Sequence, residues 1–177
     1  MAIIIYHKGF QGISVESHSS NIWTPTSDIE KAVEIEWNKS LQKNPCMSNG
    51  KKIRLDESRQ DGNMLYLKTS ITDYKHHIAT RQNQKLDERA NLIFVSANLI
   101  TSDDKLVFGS VAASDRGIGQ HNFAAGSLEE GDMVRDKPSL LGGLYREIEE
   151  EFGLLSAHFK SVNPYVVFSL ETERHPN

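Results

Sequence analysis

Three glutamates in the segment Arg146–Leu154 have the residue type and the spacing to bind a divalent cation. On an α-helix, which turns about 100° per residue, Glu150 and Glu151 fall within about 60° of Glu147. Glu149 points to roughly the opposite side. Like charges at this spacing repel one another, and Mg²⁺ or Mn²⁺ bound by the carboxylate oxygens would offset that repulsion. A solvated acidic helix face is the alternative, and the helix by itself leaves it open.

The element that must position these acids is an amphipathic helix. Its apolar stripe consists of Leu144, Ile148 and Phe152. We expect the helix to start at Pro138, because proline favours the first helical turn, and to end at Gly153. Gly142 and Gly143 lie in its first half, which indicates either close packing on a sheet or a helix that begins later, near Leu144.

A loop upstream supplies a further acid. Gly126 opens the run GSLEEGD, which ends at Asp132 after five intervening residues. Together, the loop and the helix resemble the two halves of the Nudix box, the motif of the Nudix hydrolase superfamily. The helix segment REIEEEFGL matches the second half position for position, as Arg-Glu-apolar-x-Glu-Glu-x-Gly-apolar. Asp132 stands where the box has glutamate, and thirteen residues (133–145) separate it from Arg146, where the family has seven.

The resemblance implies a role for each matching residue. The metal ligands that it implies are Glu147, Glu150, Glu151 and the backbone carbonyl of Gly126. The catalytic residues that it implies are Glu150, Glu151 and Arg146. Arg146 would act in support, by orienting a helix glutamate through an ion pair. Ala125 and Gly126 would form the turn that carries the carbonyl, and Asp132 would steady the loop against the helix.

The activity that the resemblance implies is hydrolysis of a nucleoside diphosphate linked to another group, by attack of water at phosphorus. Mg²⁺ or Mn²⁺ would neutralise the charge of the pyrophosphate. A second likeness, over residues 20–155, is to the Nudix enzymes that hydrolyse UDP-glucose and UDP-galactose, because AVEIEWNKSL, IRL and LKTSITDYKHHIATR precede the box. The expected products are UMP and a sugar 1-phosphate. ADP-ribose and dinucleotides are alternative substrates, and a non-catalytic domain or fragment that binds a nucleotide or a partner is the alternative function.

Arg116 is the candidate for substrate binding, because its side chain could reach a substrate phosphate. A solvated loop arginine is the alternative for this position. The tripeptide Gly117-Ile118-Gly119 that follows lacks the third glycine and the helix of a dinucleotide-binding loop, so we interpret it as a turn.

The resemblance also predicts two domains, with a polar segment around residues 81–89 at their boundary. Residues 1–88 would form a small α+β module. Residues 89–177 would form the Nudix domain, an α/β/α sandwich with a mixed sheet. We expect the C-terminal part of that fold to be short or missing, because few residues follow Leu154.

Two helices and several strands are expected to support this arrangement. Ser27 and Glu30 form a capping box that predicts the start of the first helix, and Trp37 is expected on its buried stripe. A second, shorter helix carries His76 and His77, which we interpret as surface residues. The predicted strands cover residues 3–6, 13–16, 52–56, 64–71, 92–100, 106–111, 120–124 and 165–170.

Length and composition bound the class of protein. A chain of 177 residues is long enough for one domain, or two small ones, with a buried core. Its net charge of −4 offers no basic surface for a nucleic-acid backbone. Cys46 is the single cysteine, which fits a reducing compartment, and no apolar run approaches the roughly 20 residues that span a membrane. We therefore expect a soluble, cytoplasmic protein that acts on a small molecule, and a homodimer is left open.

Overall fold

The computed structural model describes residues 2–8, 12–16, 21–83, 88–110, 121–162 and 166–172. Within these residues the fold is mixed α/β, with three α-helices and several small, open sheets. The helices are α1 (Ser27–Lys43), α2 (Tyr74–Gln82) and α3 (Leu140–Phe152). The first strands are β1 (Ala2–Lys8), β2 (Gly12–Glu16), β3 (Lys51–Asp61), β4 (Met64–Asp73), β5 (Phe94–Ala97) and β6 (Leu99–Ile100). The later strands are β7 (Leu106–Val107), β8 (Gly109–Ser110), β9 (His121–Asn122), β10 (Ala124–Ser127), β11 (Met133–Val134), β12 (Lys137–Pro138) and β13 (Val166–Thr172).

The largest sheet has the order β2-β4-β3 and is mixed. β3 and β4 pair antiparallel around a turn at Gly62, with an irregularity between Leu55 and Glu57. β2 lies parallel to β4 on the other side. The three strands predicted here, at residues 13–16, 52–56 and 64–71, are confirmed. β3 extends furthest beyond its prediction, because its polar C-terminal half still pairs with β4.

The helices α1 and α2 pack together through Ile29, Val33 and Ala79. The predicted capping box is wrong, because Thr26 rather than Ser27 is the N-cap residue and its side chain makes no capping hydrogen bond. Trp37 is only half-buried and lies edge-on to Tyr74, with 6.4 Å between the ring centres. Its predicted place in the core is therefore wrong, since the buried part of the stripe ends about one turn earlier.

The two histidines of α2 are not surface residues. His76 is buried, with only 6% of the residue exposed. Its Nδ1 lies 3.1 Å from Thr72 Oγ1. His77 is half-buried and its Nδ1 lies 2.8 Å from the carbonyl oxygen of Ala90. The surface interpretation is wrong because α2 is covered on one side by α1 and on the other by the segment around Ala90. Burial lowers the pKa of both imidazoles.

The main apolar core crosses the predicted domain boundary. Ile53 of β3 packs with Ile93 and Leu128, and all three are buried. The Ile53 amide donates to the Leu128 carbonyl at 3.0 Å, and the Ile93 amide donates to the Ile53 carbonyl at 3.1 Å. Residues on both sides of position 88 thus share one core and one set of backbone hydrogen bonds, while the division into two folding units stays a prediction.

In the second half, α3 covers one face of the antiparallel pair β5–β10. Ile148 is buried against Leu99 and Ala124, with Leu144 and Phe152 packed beside it, so the predicted apolar stripe is confirmed. The strands predicted at residues 92–100 and 106–111 are each divided into shorter strands, and β6 and β7 pair antiparallel across the turn between them. At the termini of the described chain, β1 and β13 pair antiparallel. Among the described residues, no helix is both long and apolar enough to cross a membrane.

Candidate active site

Both ends of α3 are defined by local contacts. Ser139 is the N-cap residue, and its hydroxyl accepts the Gly142 amide at 2.9 Å. Pro138 lies in β12 before the helix, so the prediction that proline opens it is wrong by two residues, and Gly142 and Gly143 are helical. The helix ends at Gly153, which has a φ of 66°, as predicted. A side chain at Gly143 would overlap Leu128, which confirms close packing of the helix at this position.

Glu147 points from α3 onto the backbone of β10. The residue is 9% exposed, and a Cβ atom on Gly126 would overlap its carboxylate. Arg146 Nη1 lies 2.8 Å from Glu147 Oε1. Burial raises the pKa of the Glu147 carboxyl, the guanidinium of Arg146 opposes that change, and nearby acids on α3 reinforce it. Glu147 is therefore a buried acid whose negative charge is only partly compensated.

Gly126 was expected in a turn, and this prediction is wrong. Gly126 and Ala125 lie in strand β10, where they pair with Val95 and Ser96 of β5. The strand pairing holds the backbone extended beneath α3, and glycine is required because the carboxylate of Glu147 occupies the space of a side chain.

The other two glutamates have different surroundings. Glu151 Oε2 accepts the backbone N–H of Ala125 at 3.1 Å, although the residue is exposed. Glu150 is exposed, and its Oε2 accepts Arg146 Nη1 at 3.1 Å. Glu149 is exposed, and its place on α3 is about 200° around the helix axis from Glu147, as predicted. The structure thus brings Glu147 and Glu151 onto neighbouring residues of one strand and leaves Glu150 at the rim.

Arg146 connects these acids to the loop that precedes the helix. Its Nε and Nη2 donate to the two carboxylate oxygens of Asp132, each at 3.0 Å, and Nη2 also donates to the Ser127 carbonyl at 3.2 Å. Asp132 is 5% exposed and also accepts the Glu129 amide at 2.8 Å. The carboxylate of Asp132 raises the pKa of Arg146. These contacts are those expected of a residue that steadies the loop against the helix.

A residue from the first half of the chain also reaches this loop. Lys52 of β3 forms an ion pair with Glu129, next to a backbone bridge between the same two residues. The Lys52 ammonium also lies 5.8 Å from the ring centre of Tyr74. No motif pointed to Lys52, because its partner lies far along the chain and lysine in a strand carries no distinctive spacing.

A small pocket opens beside Glu151, at the C-terminal end of α3. Its volume is about 190 Å³, and its lining consists of Gly109, Ser110, Asn122, Glu151 and Phe152. Gly109 and Asn122 are paired residues of the antiparallel strands β8 and β9. Arg116, the predicted substrate-binding residue, lies outside the described residues, as do Gly117 and Gly119.

The donors at this site fit a hard divalent cation in chemical type. Glu147, Glu150 and Glu151 offer only carboxylate oxygens, and such cations prefer oxygen ligands. In the part of the chain that the structure describes, no three acidic, histidine or cysteine side chains converge on one point. Arg146 and the Ala125 amide hold the carboxylates instead. Metal binding would therefore require these carboxylates to turn from their present partners.

No protein-family model matches the chain, and no curated protein matches it.

Proposed function

We propose that this protein is a metal-dependent hydrolase of the Nudix type, which cleaves the pyrophosphate of a nucleoside diphosphate linked to another group. A nucleotide sugar such as UDP-glucose is the leading substrate, with UMP and a sugar 1-phosphate as products. ADP-ribose and dinucleotides are the alternatives within the same chemistry. The Nudix sandwich, the cytoplasmic location and a homodimer remain predictions.

One observation carries the proposal. Glu147 and Glu151, one helical turn apart on α3, are directed onto consecutive residues of β10, Gly126 and Ala125. Burial raises the pKa of Glu147, so a bound proton or a bound cation would stabilise this carboxyl group in the folded protein. An acidic helix face that served only solubility would keep all its carboxylates exposed. Here the carboxylate of Glu147 is instead buried against Gly126.

Each residue of the site has a proposed role in this reaction. Mg²⁺ or Mn²⁺ would be held by Glu147, Glu150, Glu151 and the carbonyl of Gly126, and when bound it neutralises phosphate charge and makes water a better nucleophile. Arg146 keeps Glu147 and Glu150 on one side of the helix, and Asp132 keeps Arg146 in place. An exposed carboxylate, Glu150 or Glu151, would accept the proton of the water that attacks phosphorus. The P–O bond of the pyrophosphate breaks, and the two phosphates leave on separate products.

The test is release of UMP from UDP-glucose by the purified protein, with Mg²⁺ or Mn²⁺ and then with EDTA. We expect release with metal, none with EDTA, and loss of release in Glu151→Gln. Glu149→Gln is the matched control, because Glu149 is an exposed acid on the same helix, about 200° around the axis from Glu147. Equal activity in Glu151→Gln and the wild type would overturn the assignment of this carboxylate.

A specific observation also favours a second candidate, a non-catalytic domain that binds a nucleotide or a partner. Arg146 pairs with Asp132, Glu147 and Glu150 at once, so the helix acids already have an internal cation. Calorimetry with Mn²⁺ distinguishes the two candidates. Metal binding that disappears in Glu147→Gln supports the hydrolase, whereas nucleotide binding without metal binding or turnover supports the second candidate.

A further inference from the structure

Lys52 of β3 holds the loop that precedes α3 from the first half of the chain. Its side chain is 15% exposed and forms an ion pair with Glu129. A mostly buried ammonium group needs such a partner, because an unpaired charge there would lose hydration without compensation. The backbone supports the same contact, since the two residues form an antiparallel bridge and the Ile53 amide donates to the Leu128 carbonyl at 3.0 Å. The position of Glu129 is therefore set by β3 through both backbone and side chain.

Glu129 is in direct contact with the residue that braces α3. Its backbone N–H donates to Asp132 Oδ2 at 2.8 Å. Both carboxylate oxygens of Asp132 accept N–H groups of Arg146 at 3.0 Å, and Arg146 Nη1 lies 2.8 Å from Glu147 Oε1. Four consecutive contacts thus join Lys52 to the most buried of the candidate metal ligands.

Removal of the Lys52 side chain would have two opposite effects on a cation bound at α3. The loss of a positive charge would by itself strengthen the attraction of the carboxylates for a divalent cation. The loss of the ion pair would release Glu129 and the loop, so that Arg146 and the carboxylates could shift, and this would weaken binding. A role confined to stability predicts no weakening in the folded protein. The sign of the change in metal affinity therefore distinguishes positioning from the other two roles.

We propose that Lys52 is a positioning residue for the carboxylates of α3, and that it acts on them through residues 129–132 and Arg146. The inference rests on the proposed function, because a divalent cation is what those carboxylates would bind. It gives β3, which lies before the predicted domain boundary, a part in a site whose other members all lie after that boundary. The metal affinity of the site then depends on how the first half of the chain holds the loop.

The test measures Mn²⁺ affinity by calorimetry, well below the unfolding temperature, in Lys52→Met and in the matched control Lys51→Met. Lys51 is the preceding residue of β3 and pairs with Asp73 at 2.9 Å, so its substitution also removes one positive charge and one ion pair. We expect Lys52→Met to weaken Mn²⁺ binding by about 2–30-fold, the usual range for residues that act on a site through a network. Lys51→Met should leave the affinity unchanged or slightly stronger, and Lys52→Arg, which keeps the charge, should retain most of it.

Glu129→Gln breaks the same ion pair from the other side and serves if Lys52→Met fails to fold. It should weaken Mn²⁺ binding to a similar extent, and the double variant should bind no more weakly than either single variant, because the two substitutions remove one shared contact. Losses that add in the double variant would overturn the inference, since Glu129 would then act independently of Lys52. An unchanged or stronger Mn²⁺ affinity in Lys52→Met, or an equal loss in Lys51→Met, would overturn it as well.

A measurement without metal separates this inference from the proposed function. The Arg146 Nε–H, which donates to Asp132, should exchange with water faster in Lys52→Met than in the wild type or Lys51→Met, as measured by NMR. If the wild type binds no Mn²⁺ but this difference is found, the hydrolase proposal falls and the positioning role of Lys52 stands. If the exchange rates are equal in all three proteins, the positioning role falls whether or not the protein binds metal.

Discussion

Arg146 and Asp132 form a two-point ion pair between helix α3 and the loop that precedes it, with both N–H···O distances at 3.0 Å. Because Asp132 is buried and also caps the Glu129 amide, the pair fixes the loop and the helix to each other. The same guanidinium contacts Glu147 and Glu150. The position of the candidate catalytic acids therefore depends on a carboxylate that would not touch the substrate.

Asp132→Asn tests this dependence. The substitution keeps the shape of the side chain and removes the charge that faces Arg146, so we expect a loss of about 2–4 kcal/mol in the free energy of unfolding, as for a mostly buried ion pair that loses one partner. Urea denaturation measures it. Asp28→Asn is the control, since Asp28 is exposed in the first turn of α1 and pairs there with exposed Lys31, so its loss should change stability by less than about 1 kcal/mol. Similar values for the two variants would contradict the bracing role.

Gly126→Ala tests the close approach of the Glu147 carboxylate to β10. A methyl group at position 126 would overlap that carboxylate, so Glu147 has to move or the strand has to shift. We expect a loss of about 1–3 kcal/mol in stability, the usual cost of overpacking, together with loss of metal-dependent turnover. Gly131→Ala is the matched control, because a methyl group there meets nothing within 4 Å. Full activity in Gly126→Ala would show that Glu147 does not need its present position.

The part of the site that could be predicted from the sequence is local. The stripe through Ile148 and the helix stop at Gly153 both depend on spacing along one helix. A helix repeats every 3.6 residues, so side chains a few positions apart are placed by the backbone alone. The role of Asp132 as a brace followed from the resemblance and agrees with its contacts.

The part that could not be predicted depends on pairing between distant segments. The resemblance assigned Gly126 to a turn, yet β5, about thirty residues earlier in the chain, pairs with it as a strand. Burial of His76 depends on α1 and Trp23, whose ring centre lies 5.5 Å from the imidazole. The ion pair of Lys52 with Glu129 joins β3 to the loop after β10, on the other side of the predicted boundary. Residue propensities and spacings along the chain reflect local structure, so they do not predict contacts between distant segments.

The burial of His76 predicts how stability varies with pH. Burial lowers the pKa of His76 in the folded protein. The negative charges of Asp73 and Glu30 oppose this change, and the positive charges of Lys75 and Lys51 add to it. The unfolded chain therefore binds more protons below about pH 6.5, and the free energy of unfolding should fall as pH drops through that value and recover above it. His77 has a pKa lowered by burial as well, so it acts with the same sign.

Urea denaturation between pH 5 and pH 8 measures this dependence. His76→Gln should reduce the slope of stability against pH without abolishing it, because His77 remains. His121→Gln is the control, since it also removes one histidine but at an exposed position outside α2. A slope that is the same in His76→Gln and the wild type would show that His76 does not keep a depressed pKa in the folded protein.

Glu147→Gln separates the cost of the buried acid from its proposed use. Because the pKa of Glu147 is raised in the folded protein, its ionised form lowers stability at pH values above that pKa. Without metal, Glu147→Gln should therefore be at least as stable as the wild type at pH 7. This advantage should disappear as pH falls toward about 4.3, the pKa of glutamate in the unfolded chain.

Metal-dependent turnover of Glu147→Gln should fall by about a hundredfold or more, since residues that only support the metal ligands are alone worth about 10–100-fold. Glu149→Gln should change neither quantity, because Glu149 is exposed. A Glu147→Gln protein that is clearly less stable than the wild type at pH 7 and equally active would mean that Glu147 serves the ion pair with Arg146 rather than a cation.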